Sequence, residues 1–196
     1  MYNLQQQEMA QQLQESKSLV GQVVGGSQAR KYVIGEYVAG GSFGSFHYGI
    51  DQRDGSKVAI KLEQVGAPQP QLFLEFGFYK VLGRARFIPR ILSFGPVGPG
   101  GKWNALVMEL LGPSLREMNE RCNNSFTILT IVQLAIQLLN LFEYVHDHGL
   151  LYRDIKPENF LFGPKGSDKW CTVCLIGMCN KSAHSQCALS VLSLSH

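Results

Sequence analysis

Tyr152-Arg153-Asp154-Ile155-Lys156-Pro157-Glu158-Asn159 decides how the rest of this 196-residue chain is read. The segment follows directly on a long apolar run, Thr127 to His148, whose repeat is helical. It therefore starts where a helix ends, and it concentrates groups that act on other molecules. Asp154 can accept the proton of an attacking hydroxyl, and Asn159, five residues on, can turn back toward a metal ion. Lys156 can neutralise negative charge on a group in transfer. A charged surface turn is the bland alternative, and the segments upstream decide against it.

Tyr32-Val33-Ile34 and Tyr37-Val38 lead into Ala39-Gly40-Gly41-Ser42-Phe43-Gly44, and Ser45 to Ile50 is again extended, giving two strands joined by a glycine-rich turn. Residues without a bulky Cβ let backbone N–H groups come close to an anion. Asp54-Gly55 then separates this hairpin from a third strand, Lys57 to Leu62. Lys61, after Val58-Ala59-Ile60, can project an ammonium under the same turn. Pro68 and Pro70 precede a helix over Gln71 to Leu82, which ends before Gly83. Glu75 on that helix is placed to pair with Lys61. Strands at Arg90 to Phe94 and Trp103 to Glu109 complete a small α+β lobe of five strands and one helix. Beyond Leu110-Leu111-Gly112-Pro113 the pattern turns helical, with a short helix over Ser114 to Arg121 and a long one over Thr127 to His148, capped by Thr127 and left at Gly149. The long helix is apolar on Leu129, Val132, Ile136, Leu139 and Phe142 and again on Leu134, Leu138 and Leu141, which predicts burial on several sides. Residues 1–30, rich in Gln, Gly and Ser, predict a flexible leader.

These motifs together resemble the first half of a eukaryotic protein kinase domain, and specifically the casein kinase 1 group. The marks are Val58-Ala59-Ile60-Lys61-Leu62-Glu63, Pro70-Gln71-Leu72, Leu110-Leu111-Gly112-Pro113-Ser114-Leu115 and Arg153-Asp154-Ile155-Lys156-Pro157-Glu158-Asn159-Phe160-Leu161. Phe78-Tyr79-Lys80 and Leu151-Tyr152-Arg153-Asp154 are most similar to its gamma branch, where tyrosine replaces histidine. The resemblance implies a kinase-like α+β fold, with a small lobe over 31–109 and part of a large lobe over 110–169. It implies ATP with Mg²⁺, held under Val38, Ala39, Gly40, Gly41, Ser42, Phe43, Gly44, Ser45 and Phe46. Lys61 would clamp phosphates with Glu75 as its partner, and the adenine would lie against Met108, Glu109, Leu110 and Leu111. Asp154 would be the general base, Lys156 a neutralising cation and Asn159 a metal ligand. The γ-phosphate would pass to serine or threonine hydroxyls of acidic or pre-phosphorylated proteins.

Family kinases place a strand ending in Asp-Phe-Gly after the catalytic loop. Here Cys174-Leu175-Ile176 is followed by Gly177-Met178, and no acidic residue follows Asp168. Ala39 stands at the loop's first glycine and Phe46 at the β-branched residue over the adenine. With the later helices also missing before His196, the expectation is a truncated kinase of impaired activity, with a marginal or chaperone-dependent large lobe. The alternatives are a non-catalytic binding or regulatory isoform, or a product with no function of its own. Residues 170–196 form a Cys/Ser-rich tail unlike the family, as an alternative exon, retained intron or shifted frame would give. Within it Cys171, Cys174, Cys179 and His184 have a zinc-knuckle-like spacing, with coincidence the favoured explanation.

Composition narrows the classes. The chain is 45% hydrophobic and 17% charged with net charge +3, which fits a globular domain and offers no basic stripe for nucleic acid. Gln133, Gln137, Asn140 and Glu143 interrupt the most apolar run, predicting no transmembrane segment. Five cysteines crowded late in the chain do not make a secreted disulfide framework, so a cytoplasmic or nuclear setting is expected.

Overall fold

The computed structural model describes residues 2–25, 30–41, 44–68 and 70–177. The chain divides into two units, Met1–Phe76 with Arg90–Leu110, and Gly77–Pro89 with Leu111–His196.

The first unit begins with helix α1 (Tyr2–Lys17) and strand β1 (Val23–Val24), followed by β2 (Tyr32–Gly41), β3 (Gly44–Asp51) and β4 (Lys57–Gln64). Helix α2 (Leu72–Leu82) starts in it, and β5 (Ile91–Val97) and β6 (Trp103–Glu109) close it. The six strands make one antiparallel sheet in the order β1-β2-β3-β4-β6-β5. Alternation sorts the two faces. Tyr32, Ile34, Val58, Ile60, Leu62, Ala105 and Val107 pack into the core with Leu19, Val24, Val97 and Trp103. The Asp54-Gly55 turn forms as its dipeptide predicts, with Gly55 at φ +71° and its N–H on the Asp51 carbonyl.

Among the residues of the expected leader, 2–25 are ordered into helix, turn and strand. Leu19 and Val24 are fully buried, and β1 pairs Val23 with Val33 and Val24 with Tyr32. Sparse apolar residues suffice here because Leu19 and Val24 dock on an existing sheet.

In the second unit, Ser114 opens α3 (Leu115–Arg121) with a capping box to Glu117, and Thr127 caps α4 (Ile128–Asp147) by accepting the Thr130 N–H. Gly149 leaves α4 at φ +70°. Short strands β7 (Phe160–Phe162) and β8 (Val173–Leu175) pair antiparallel. Val173, Cys174 and Leu175 are fully buried, so the first residues of the expected tail belong to the fold and the boundary at 170 moves beyond Ile176. Cys174 faces this interior while Cys171 is exposed, which splits the two described members of the zinc-like set. Cys179 and His184 lie outside the described residues.

Helix α4 buries Leu134, Leu141 and Val145, whereas Ile128, Leu129, Ile131, Val132, Ile136 and Leu139 are exposed. Burial on several sides is therefore corrected to burial on one. By length and composition alone α4 is also apolar enough to cross a bilayer, despite its polar interruptions. Leu134, Leu141 and Val145 are buried, and Gln137 donates to the Cys171 carbonyl and accepts the Val173 N–H, so one face of the helix packs beside β8. A contiguous exposed apolar stripe promotes association. Replacing Leu129, Ile136 and Leu139 with glutamine, a good helix former, is expected to cut light-scattering aggregates several-fold while leaving the helical circular dichroism unchanged. Equal scattering from both chains would absolve this face.

Candidate active site

In the first unit the ladder brings the nucleotide-loop residues and Lys61 to one sheet face. Phe46 pairs with Lys61 and Lys61 with Leu106, while Tyr48 pairs with Ala59 and Ala59 with Met108. Partners across a ladder share a face. Lys61, 8% exposed, places Nζ 2.5 Å from Glu75 Oε2 and 5.4 Å from the centre of the Phe46 ring. Glu75, 1% exposed, lies in the first turn of α2, where the helix dipole favours a carboxylate. That turn is fastened by Glu63, whose Oε1 accepts the N–H groups of Gln71 (2.7 Å) and Leu72 (3.0 Å). Glu63 thus caps α2 from a neighbouring strand and sets where Glu75 points. The sequence reading quoted it only as a family mark; its alternation with Lys61 was the available signal.

The glycine-rich segment is a tight hairpin in which Ala39 pairs with Phe46, Gly40 with Ser45 and Gly41 with Gly44. Gly44 has φ +111°, and a Cβ there would collide with the Leu62 carbonyl, so this position demands glycine. Val38 is exposed. Ser42 and Phe43 lie outside the described residues. Ser45 departs from its expected role, because its side chain is buried on the core face, 3.2 Å from His47 Nε2. Met108 is buried opposite Ala59, and the Glu109 N–H binds the Arg90 carbonyl at 2.9 Å. Leu110 ends the first unit and Leu111 is buried at the start of the second stretch of the other unit.

In the second unit the loop after α4 is folded on itself. Asn159, largely buried, donates from Nδ2 to the Asp154 carbonyl (2.8 Å) and to Asp154 Oδ2 (3.0 Å). Lys156 Nζ lies 2.6 Å from the same Oδ2. The three expected residues therefore converge on one carboxylate. Arg116 anchors the loop from α3 through Glu158 Oε1 (2.6 Å), and this hydrogen bond holds the Glu158 carboxyl below the usual carboxylate range. Tyr152 is buried among Phe142 and Phe160 and donates its hydroxyl to the Ile176 carbonyl (3.0 Å). The Ile176 N–H in turn binds the Asn159 carbonyl (2.9 Å). Tyr152 and Asn159 thus fix the backbone that leaves β8.

The family model described as the protein kinase domain matches residues 32–193. This chain belongs to the protein kinase domain family. It is also similar to Casein kinase I homolog RAG8 of Kluyveromyces lactis, with 44% identity over 132 residues. The match covers 67% of this chain and 24% of that protein, so the kinase spans about a quarter of the length of its curated relative. The family fold, a β-rich lobe with one helix followed by helical structure, is the one described above. The family match also runs through residues 170–193, which the sequence reading set apart.

Protein kinases as a family use ATP and Mg²⁺. Magnesium is commonly held by one or two carboxylates together with phosphate oxygens. In this kinase the residue after Ile176 is Gly177, at φ +70°, and a Cβ built on it would lie 3.0 Å from Asn159 Oδ1. The position that the resemblance assigns to the family aspartate lies beside Asn159 and carries no carboxylate. Asp154 is already bound by Lys156 and Asn159. Among the described residues no three His, Cys, Asp or Glu side chains group to hold a metal. The described residues do not fit a magnesium site of the family type.

Proposed function

We propose that this kinase domain binds ATP through its first unit and belongs to the gamma branch of the casein kinase 1 type, with phosphoryl transfer impaired at Gly177. The observation that carries the nucleotide reading is the buried Lys61–Glu75 pair, on the same sheet face as Phe46. Lys61 is the phosphate clamp, Glu75 and Glu63 its positioning residues, and the backbone of residues 39–41 and 44 the phosphate cradle. Ala59, Leu106 and Met108 offer the adenine an apolar floor. In transfer, a serine or threonine oxygen of an acidic or pre-phosphorylated protein bonds to the γ-phosphorus as the bond to the ADP oxygen breaks. Asp154 takes the hydroxyl proton, and Lys156 offsets the developing charge. A cytoplasmic or nuclear setting and chaperone association, through the exposed stripe of α4, complete the proposal.

Gly177 also favours a second reading, in which the domain binds nucleotide or partner proteins without turnover. Loss of one electrostatic stabiliser lowers turnover by about 10²–10³, so any residual transfer is expected to be slow. Radiolabelled phosphate transfer to casein decides between the two. Slow incorporation, abolished by Asp154→Asn, supports the kinase reading. Equal background from both chains would leave only the binding protein.

A further inference from the structure

His47 and Ser45 form a buried polar chain on the core face of β3, where the proposed nucleotide chemistry has no use for them. Each is 1% exposed. His47 Nδ1 lies 3.2 Å from the Gly35 carbonyl, and Nε2 lies 3.2 Å from Ser45 Oγ. A carbonyl can only accept, so Nδ1 carries the proton; neutral Nε2 then accepts from the Ser45 hydroxyl. The β2–β3 register shifts on both sides of Tyr37, between Ile34 and Tyr37 and between Tyr37 and Ala39. Such irregularities bend a strand and take backbone groups out of the ladder. The imidazole meets a carbonyl beside this irregularity, while Ser45 pairs with Gly40 in the hairpin itself. The two side chains link the bend in β2 to the turn that follows it.

We propose that His47 is a positioning residue, a neutral brace that fixes the angle at which β2 enters the glycine-rich hairpin, so that ATP affinity depends on a side chain on the opposite face of the sheet. The inference rests on the nucleotide reading above. Its surroundings suit a neutral ring. Ile60 faces it from β4, the Tyr37 ring meets it edge to face with centres 5.6 Å apart, and Lys17 of α1 lies over the Tyr37 ring, 4.7 Å from that ring's centre. Burial lowers the His47 pKa below the usual imidazole value, with the Gly35 bond opposing. The unfolded chain therefore takes the proton first. The ring's contribution to stability is complete above the ordinary imidazole pKa and declines as the pH falls below it.

The test compares the intact chain with His47→Leu, His47→Asn and Ser45→Ala. Asparagine keeps a donor for the Gly35 carbonyl without titrating. His47→Leu is expected to weaken binding of a fluorescent ATP analogue on the order of tenfold and to speed amide exchange at Tyr37 and Ala39 by a similar factor. His47→Asn should recover most of both, and its stability should lose part of the acid-side slope. Ring ¹⁵N correlation spectra should show His47 as the Nδ1–H tautomer. Unchanged affinity in His47→Leu, or an Nε2–H ring, would overturn the brace. A wild-type chain that takes up no ATP would overturn the nucleotide reading, and the exchange comparison would then still judge the brace.

Discussion

Lys61→Met is expected to destabilise the first unit by roughly 3–5 kcal/mol and to remove measurable ATP binding. The stability term follows from burial. Glu75 is 1% exposed and Lys61 only slightly more, so deleting the cation strands a carboxylate in a region of low polarity. Removing one member of a buried pair costs about 3–5 kcal/mol, most of it the desolvation of the survivor. Replacing both members with apolar residues is far milder. The double variant Lys61→Met with Glu75→Leu should therefore regain most of the lost stability in urea unfolding, yet still fail to bind ATP. That separation distinguishes a phosphate clamp from a structural ion pair. Full ATP affinity in a folded Lys61→Met chain would remove Lys61 from the site.

Gly177→Asp is expected to raise phosphate transfer by about 10²–10³, the converse of deleting one electrostatic stabiliser. The position is prepared for it in one respect and resists it in another. Its backbone is held between Tyr152 and Asn159, through the Tyr152 hydroxyl on the Ile176 carbonyl and the Ile176 N–H on the Asn159 carbonyl. A side chain there starts beside Asn159 Oδ1. Against it, φ is +70°, and the 3.0 Å approach requires the Asn159 amide to give by a few tenths of an ångström. Aspartate is among the residues that best tolerate left-handed backbone, so a loss of about 1 kcal/mol in stability is expected. Gly177→Asn has nearly the same shape without the charge and should give no gain. Equal rates for aspartate and asparagine would show that the deficit arises elsewhere.

Much of the local structure was legible because its signals are local. The glycine-rich hairpin, the Asp54-Gly55 turn, Lys61 on β4, and the caps at Thr127 and Gly149 follow from residues within a few positions of one another. What stayed hidden depends on long-range packing. The segment that follows α1 reads as polar chain until Leu19 and Val24 have a sheet to dock on. Glu63 becomes a cap only when α2 folds back over β4. Ser45 belongs to a glycine-rich run by sequence, but strand alternation turns it into the core beside His47. The wide apolar circumference of α4 predicted enclosure, and the described residues cover only the Leu134, Leu141 and Val145 face. In the catalytic loop, the resemblance to the kinase motif singled out Asp154, Lys156 and Asn159, and the loop brings all three together.

Calorimetric titration of the intact chain with ATP, with and without magnesium, should show binding whose affinity changes little when the metal is added, since Lys61 and the hairpin backbone supply the grip and no carboxylate stands at residue 177. Tight uptake that requires magnesium and proceeds to steady turnover would contradict the impairment, and an absence of heat under both conditions would contradict nucleotide binding itself.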